Sequence, residues 1–203
     1  MGYPARRSLL LIVCISLAGC AGSIHSVATD AGPAVTPHPE LQVSEEIVTF
    51  RITGSTADEL RAELERLGPG DFHARTDWSV SWSYPCAQAE TGCGTGPVAV
   101  AVRVITTVAD WAPPVDAQSE LIQQWGIYIA ALRAHEDGHK AIGLEAGNQI
   151  LQHLQTLAAY PSCDDLEHAA DEIGRRVTDE ARRRETAYDR ATRHGATQGA
   201  RFP

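Results

Sequence analysis

The stretch that decides the fold is QSELIQQWGIYIAALRAHEDGHKAIGLEAGNQILQHLQTL, residues 118–157. Its apolar residues recur in steps of three and four, which is the spacing of one face of an α-helix. The stripe consists of Leu121, Trp125, Tyr128, Leu132, His135, His139, Ile142, Ala146, Ile150 and Leu154. Two histidines therefore continue a helix face that is expected to be directed into a core.

Gly138, Gly143 and Gly147 lie in the second half of the same predicted helix. Each weakens an α-helix by up to about 1 kcal/mol relative to alanine. Helix propensity therefore does not account for them. We expect another segment of the chain to pack closely against the helix at these positions.

Strand patterns precede this helix. Residues 43–53 are β-rich, and a capped helix that ends near Leu67 follows them. The residues of WSVSWSY, 78–84, alternate between apolar and polar, as in a half-buried strand. Residues 98–108 are apolar on both faces for much of their length, which predicts a central strand.

A second amphipathic helix follows the first. It begins near Asp164, carries an apolar stripe from Leu166 to Tyr188, and ends close to His194 and Gly195. The order of elements is strand, helix, strand, strand, helix, helix. This order predicts an α+β fold with a small antiparallel sheet packed on two long helices.

Length and charge limit the protein class. The chain has 203 residues, a net charge of -9 and a pI near 5.3. It is long enough for one domain with a core, and too short for two comfortable ones. Glu180 and Glu185 flank the densest basic run, Arg182–Arg184, which is typical of a solvated helix face. No basic surface for nucleic acid is predicted.

The N-terminus, MGYPARRSLLLIVCISLAGC, has the basic and apolar regions of a secretory signal peptide. Its end, LAGC, resembles the lipobox of bacterial lipoproteins; an ordinary signal peptide with a chance cysteine is the alternative. We expect residues 1–19 to be removed, Cys20 to be lipidated, residues 20–41 to form a tether, and 42–203 to form the domain. The resemblance implies attachment to a membrane of the cell envelope, at the periplasmic face of an outer membrane or at the cell surface.

Three further cysteines, Cys86, Cys93 and Cys163, remain in what is expected to be an oxidising compartment. They allow one disulfide and one free thiol. Either Cys86 pairs with Cys93 in a small loop, or one of them forms a long-range bridge to Cys163. The spacing alone does not choose between these pairings.

His135, Glu136 and His139 match the pattern H-E-x-x-H. One helical turn places both imidazoles on the same face, where both reach one Zn²⁺ ion at about 2.0–2.1 Å. Glu136 is then positioned to accept a proton from a water that attacks a carbonyl. The alternative is a pair of core histidines with satisfied hydrogen bonds. That alternative is less favourable because neutral histidines without polar partners are costly to bury.

A catalytic zinc site needs a third protein ligand. On a continuous helix Glu145 points away from the metal, and His153 lies about 20 Å further along the axis. The ligand should therefore come from the second helix or the segment after it. The candidates there are His168, Asp171, Asp189 and His194.

The chain resembles a bacterial family of predicted secreted zinc-dependent proteases, known as domain of unknown function 922. The resemblance covers roughly residues 43–195 and rests on GST at 54–56, WSVSWSY at 78–84, Cys93, the H-E-x-x-H motif, Cys163, and YDRATRHG at 188–195. It implies His194 as the third zinc ligand, with Asp189 as an alternative ligand or as a hydrogen-bond partner of a ligand imidazole. It also implies a disulfide between Cys93 and Cys163.

Two further roles are hypotheses. Tyr188 is a candidate catalytic residue that donates a hydrogen bond to the oxyanion formed at the attacked carbonyl, although its position also fits packing in the apolar stripe. Asp189 is a candidate to hold the tautomer of a ligand histidine.

These observations predict a lipid-anchored zinc metallopeptidase of zincin type, with a zincin-like metal-binding helix, that hydrolyses a peptide or protein substrate. A second hypothesis is a zinc-stabilised binding lipoprotein of the cell envelope, in which the metal joins two helices without turnover. A third, weaker hypothesis is an envelope lipoprotein without metal. Glu136 distinguishes the first two, because a purely structural zinc site does not need a carboxylate at that position.

Overall fold

The computed structural model describes residues 40–202. The predicted signal peptide, Cys20, and the tether up to residue 39 lie outside the described residues. The first strand begins at Glu40, two residues before the predicted start of the domain. Within the described part of the chain, no helix is both long and apolar enough to cross a membrane.

The described elements confirm an α+β fold with two long helices at its C-terminal end. They are β1 (Glu40–Ile52), α1 (Ala57–Leu67), β2 (Ala74–Ser83), β3 (Cys86–Ala89), β4 (Gly92–Thr95), β5 (Ala99–Trp111), α2 (Ser119–Gln155), α3 (Cys163–Thr192) and a short 3-10 turn (Ala196–Gln198). The hairpin of β3 and β4 was not predicted, because its glycine-rich sequence lacks an apolar alternation.

The main sheet has the strand order β1-β5-β2, with β5 in the centre as predicted. β2 pairs with β5 in the antiparallel direction, but β1 pairs with β5 in the parallel direction. The sheet is therefore mixed, and the prediction of an antiparallel sheet is wrong. Alternation of residue types identifies strands without giving their order. Because β5 is inserted between β1 and β2, neither of these strands pairs with the other.

The core lies between one face of the sheet and the long helices. Val100, Val102 and Val104 of β5 are buried in the same cluster as Ile142 and Ile150 of α2. A second cluster joins the N-terminal half of α2 to α1 and the ends of β1 and β5, through Ile52, Leu60, Leu64, Trp111 and Trp125. The predicted apolar stripe of α2 is thus buried along its whole length.

The glycines of α2 permit close contacts, as expected from the sequence. A Cβ atom at Gly143 would overlap the indole of Trp78, and one at Gly147 would overlap the side chain of Val102. A Cβ atom at Gly138 would overlap the phenol of Tyr188 on α3. Both the sheet and α3 therefore approach α2 at positions where the helix has no side chain.

The disulfide joins Cys86 to Cys163, so the pairing of Cys93 with Cys163 is wrong. Cys93 is a free, half-buried thiol. Residues of both hairpin strands come close to the start of α3, and the three sulfur atoms lie within 4.8 Å of one another. Proximity to Cys163 therefore does not by itself select one partner.

The replacement Gly143→Ala tests the contact between α2 and β2. We expect it to lower the free energy of unfolding by about 1–3 kcal/mol, because the new methyl group overpacks against Trp78. Gly126→Ala is the matched control on the same helix, since no described atom outside the neighbouring helix backbone lies within 4 Å of its added Cβ. The control should raise the free energy of unfolding by up to about 1 kcal/mol. Urea unfolding followed by circular dichroism measures both; equal stabilisation by the two replacements would contradict the contact.

Candidate metal centre

His135 and His139 lie one turn apart on α2 and are buried, with 3% and 9% of their surface exposed. Their rings meet edge to face, with centroids 4.9 Å apart. Both Nε2 atoms face the same carboxylate oxygen of α3. The distances to Asp189 Oδ1 are 3.2 Å from His135 and 3.0 Å from His139.

These three residues fit a zinc ion in chemistry and in spacing. Two imidazole nitrogens and one carboxylate oxygen are ordinary ligands of catalytic zinc. Neighbouring ligand atoms around a tetrahedral zinc ion lie about 3.3 Å apart when each ligand is at about 2.0–2.1 Å. The distances from Asp189 to the two histidines are close to this value. His135, His139 and Asp189 therefore form a candidate metal centre.

His194, the predicted third ligand, lies at the edge of this group. Its Nδ1 atom is 3.6 Å from Asp189 Oδ1, and 59% of its side chain is exposed. The chain turns there because Arg193 and His194 adopt left-handed backbone angles, with φ of 52° and 51°. Their amides donate hydrogen bonds to the carbonyl oxygen of Asp189. The structure thus places Asp189, the predicted alternative ligand, between the two histidines, and His194 beside it.

The second nitrogen of His135 has its own acceptor. Nδ1 lies 3.0 Å from Oε1 of Gln198, and the amide nitrogen of Gln198 donates to the hydroxyl of Tyr188 at 3.0 Å. If Nδ1 carries the proton, Nε2 is left free to bind a metal. Sequence reasoning missed Gln198, because nothing in the short segment after α3 marks it as a partner of a histidine.

The second nitrogen of His139 faces a carboxylate. Nδ1 lies 3.5 Å from Oε1 of Glu185, and the indole of Trp78 donates to the same oxygen at 2.7 Å. Burial opposes the charged form of His139, but Glu185, Asp189 and Glu136 outweigh it and raise the pKa of this imidazole. His139 is therefore surrounded by negatively charged groups, which would stabilise a bound cation.

Glu136 is buried, with 5% of its surface exposed. Among the described residues, its Oε2 atom has no hydrogen-bond partner. Burial raises the pKa of this carboxyl group, while a hydrogen bond with Thr76 and the two neighbouring histidines act in the opposite direction. An orphaned buried oxygen is costly, and such atoms call for a functional explanation.

Tyr188 supports His135. Its ring stacks on the imidazole, with centroids 5.0 Å apart and planes inclined by 11°, and its hydroxyl donates to the backbone carbonyl of His135 at 3.2 Å. Tyr188 also approaches α2 at Gly138. These contacts match the packing alternative. The catalytic role of Tyr188 at an oxyanion stays a prediction.

A cleft of about 850 Å³ opens over the centre. Glu136, His139 and Asp189 line it, together with His194. Its walls come from the beginning of β2, from α2 and from α3. The lining includes an apolar group, Phe72, Leu132 and Ala200, and a charged group, Arg75, Asp77 and Arg182.

The fold and the site define an α+β protein with a candidate centre of two histidines and one aspartate beneath a cleft. The chain belongs to a family of bacterial proteins of unknown function, DUF922, whose model matches residues 47–195. The matched range includes His135, Glu136, His139, Asp189 and His194. No curated protein and no solved structure matches this chain.

The carboxylate of Glu185 should hold His139 in the orientation that binds metal. We expect Glu185→Ala to weaken zinc binding about 10- to 100-fold, as is usual when the partner of a ligand histidine is removed. Glu180→Ala is the matched control on the same helix, because Glu180 is exposed and pairs with Arg183. Competition with a chromophoric chelator measures both affinities. Equal affinities of the two variants would show that Glu185 does not position His139.

Proposed function

We propose that this protein is a zinc-dependent metallopeptidase in which His135, His139 and Asp189 hold the ion and Glu136 is the general base. The buried Oε2 atom of Glu136 carries the proposal, because it has no hydrogen-bond partner among the described residues and lies beside a ready set of metal ligands. A structural zinc site gains nothing from such a carboxylate. A hydrolytic site needs one to accept a proton.

Zinc held by His135, His139 and Asp189 would polarise a substrate carbonyl and lower the pKa of a coordinated water. The residues of the chain supply the other parts. Glu136 accepts the proton of the attacking water and passes it to the leaving amine. Gln198 and Glu185 hold the two imidazoles in position.

The position of the cleft beside a sheet edge favours an extended peptide as the substrate. β2 is an edge strand of the main sheet, and residues 74–77 at its beginning line the cleft beside the metal centre. An exposed sheet edge offers backbone donors and acceptors to an added strand. A peptide bound there would lie across the carboxylate of Glu136. This arrangement supports a peptide or protein substrate.

We further propose that a lipid at Cys20 holds the domain at the cell envelope. The proposal rests on the signal peptide and on LAGC at residues 17–20, which lie outside the described residues. The domain would then work at a membrane surface, to which the lipid attaches it.

The alternative is a binding lipoprotein in which zinc joins α2 to α3 without turnover. The position of His194 favours it, since Nδ1 lies 3.6 Å from Asp189 Oδ1. A small movement would make His194 a fourth protein ligand and close the site to water. A closed four-ligand site is typical of structural zinc.

Glu136→Gln tests the enzyme most sharply. We expect the variant to keep stoichiometric zinc and to lose peptide hydrolysis by a factor of about 10² to 10⁴, because an amide cannot accept the proton. Glu145→Gln is the control on the same helix, since Glu145 is exposed and pairs with Arg184. A quenched-fluorescence peptide library measures cleavage. Full activity of Glu136→Gln would refute the proposed base, and a zinc-loaded wild type that cleaves no peptide would favour the binding protein.

The variants His194→Ala and Asp189→Ala distinguish an open centre with three protein ligands from a closed centre with four. For the open centre we expect His194→Ala to retain stoichiometric zinc and Asp189→Ala to lose it, because only the second change removes a ligand. Metal analysis of the purified variants measures this. Loss of zinc from His194→Ala alone would instead make His194 the third ligand. Loss from both variants would indicate the closed site.

A further inference from the structure

A free thiol lies beside a disulfide at the start of α3. Cys86 and Cys163 are bonded to each other and exposed, and Cys93 is half-buried and unbonded. The sulfur atoms of all three residues lie within 4.8 Å of one another. This is the arrangement that thiol–disulfide exchange requires, because a thiolate must reach a disulfide sulfur.

The backbone, and not the disulfide, holds Cys93 in this place. The amide of Cys93 donates to the carbonyl of Tyr160 at 2.8 Å, and the amide of Tyr160 donates back at the same distance. A Cβ atom at the neighbouring Gly92 would overlap the carbonyl of Tyr160, so the two segments are in close contact. Cys93 should therefore stay near Cys163, three residues after Tyr160, even when the disulfide opens.

The geometry of the β3–β4 hairpin disfavours a disulfide between Cys86 and Cys93. Cys86 lies opposite Thr95, and Cys93 lies opposite Gln88, so the two cysteines are diagonal neighbours on the ladder. Diagonal Cα atoms lie about 7–8 Å apart, whereas disulfides rarely form beyond about 7 Å. Cys163 is therefore the common partner for which Cys86 and Cys93 compete.

We propose that Cys86, Cys93 and Cys163 form an internal thiol–disulfide exchange site. The thiolate of Cys93 attacks Sγ of Cys163, a new bond forms between these atoms, and the bond from Cys163 to Cys86 breaks. Cys86 leaves as a thiolate and takes up a proton in place of the one that Cys93 released. The number of disulfides is unchanged, so the step needs no external oxidant or reductant.

Exchange changes which thiol faces solvent. In the described pairing the free thiol is the half-buried Cys93, and after exchange it is Cys86, in an exposed position. An external disulfide reaches an exposed thiolate more readily than a half-buried one. Cys86 is thus the residue at which a disulfide-bearing small molecule or protein would form a mixed disulfide, releasing its own thiol.

Single replacements test the two pairings. In Cys86→Ser we expect peptide mapping under non-reducing conditions to find a disulfide between Cys93 and Cys163. Cys93→Ser is the matched control and should keep the Cys86 to Cys163 disulfide. A Cys86→Ser protein that melts like the wild type but leaves both Cys93 and Cys163 open to alkylation would overturn the proposal.

The wild-type protein tests the exchange itself. It is incubated at about pH 8.5, near the ordinary pKa of a thiol, quenched with acid, unfolded, and alkylated with N-ethylmaleimide. We expect label on Cys86 as well as on Cys93, with a Cys86 fraction that grows with incubation time to a plateau. Label on Cys93 alone at every time point would overturn the proposal.

Discussion

The contact of Asp189 with His135 and His139 is the constraint on which the rest of the structure depends. A carboxylate of α3 approaches within 3.2 Å of two imidazole nitrogens of α2. This requires the helices to pack closely, and Gly138 permits it by leaving room for Tyr188. Gly143 does the same for the sheet, and Trp78 of that sheet donates to Glu185, the residue of α3 that faces the second nitrogen of His139.

Local sequence patterns predicted the parts that depend on a single element. The period of α2 is long and regular, so both the helix and the inward direction of His135 and His139 followed from spacing. The three glycines indicated close packing, because they contradict the propensity of the helix around them. Glu136 followed from the motif, although its orphaned oxygen became visible only in the folded chain.

Features that depend on two distant segments were not predictable in the same way. The insertion of β5 between β1 and β2 leaves no mark in the alternation of either strand. Cys86 and Cys93 both lie near Cys163, so spacing could not select the bonded pair. Asp189 lies in the last turn of α3 and His194 follows it across a left-handed turn, and spacing alone did not show that the turn leaves His194 at the edge of the centre.

The most direct test of the central claim is a crystal structure of the zinc-loaded protein with anomalous diffraction measured at the zinc absorption edge. The account predicts one strong anomalous peak bound by His135, His139 and Asp189 at about 2.0–2.2 Å, with Glu136 beside its open position. A peak held by cysteine sulfur atoms at about 2.3 Å, or no peak between α2 and α3, would contradict it.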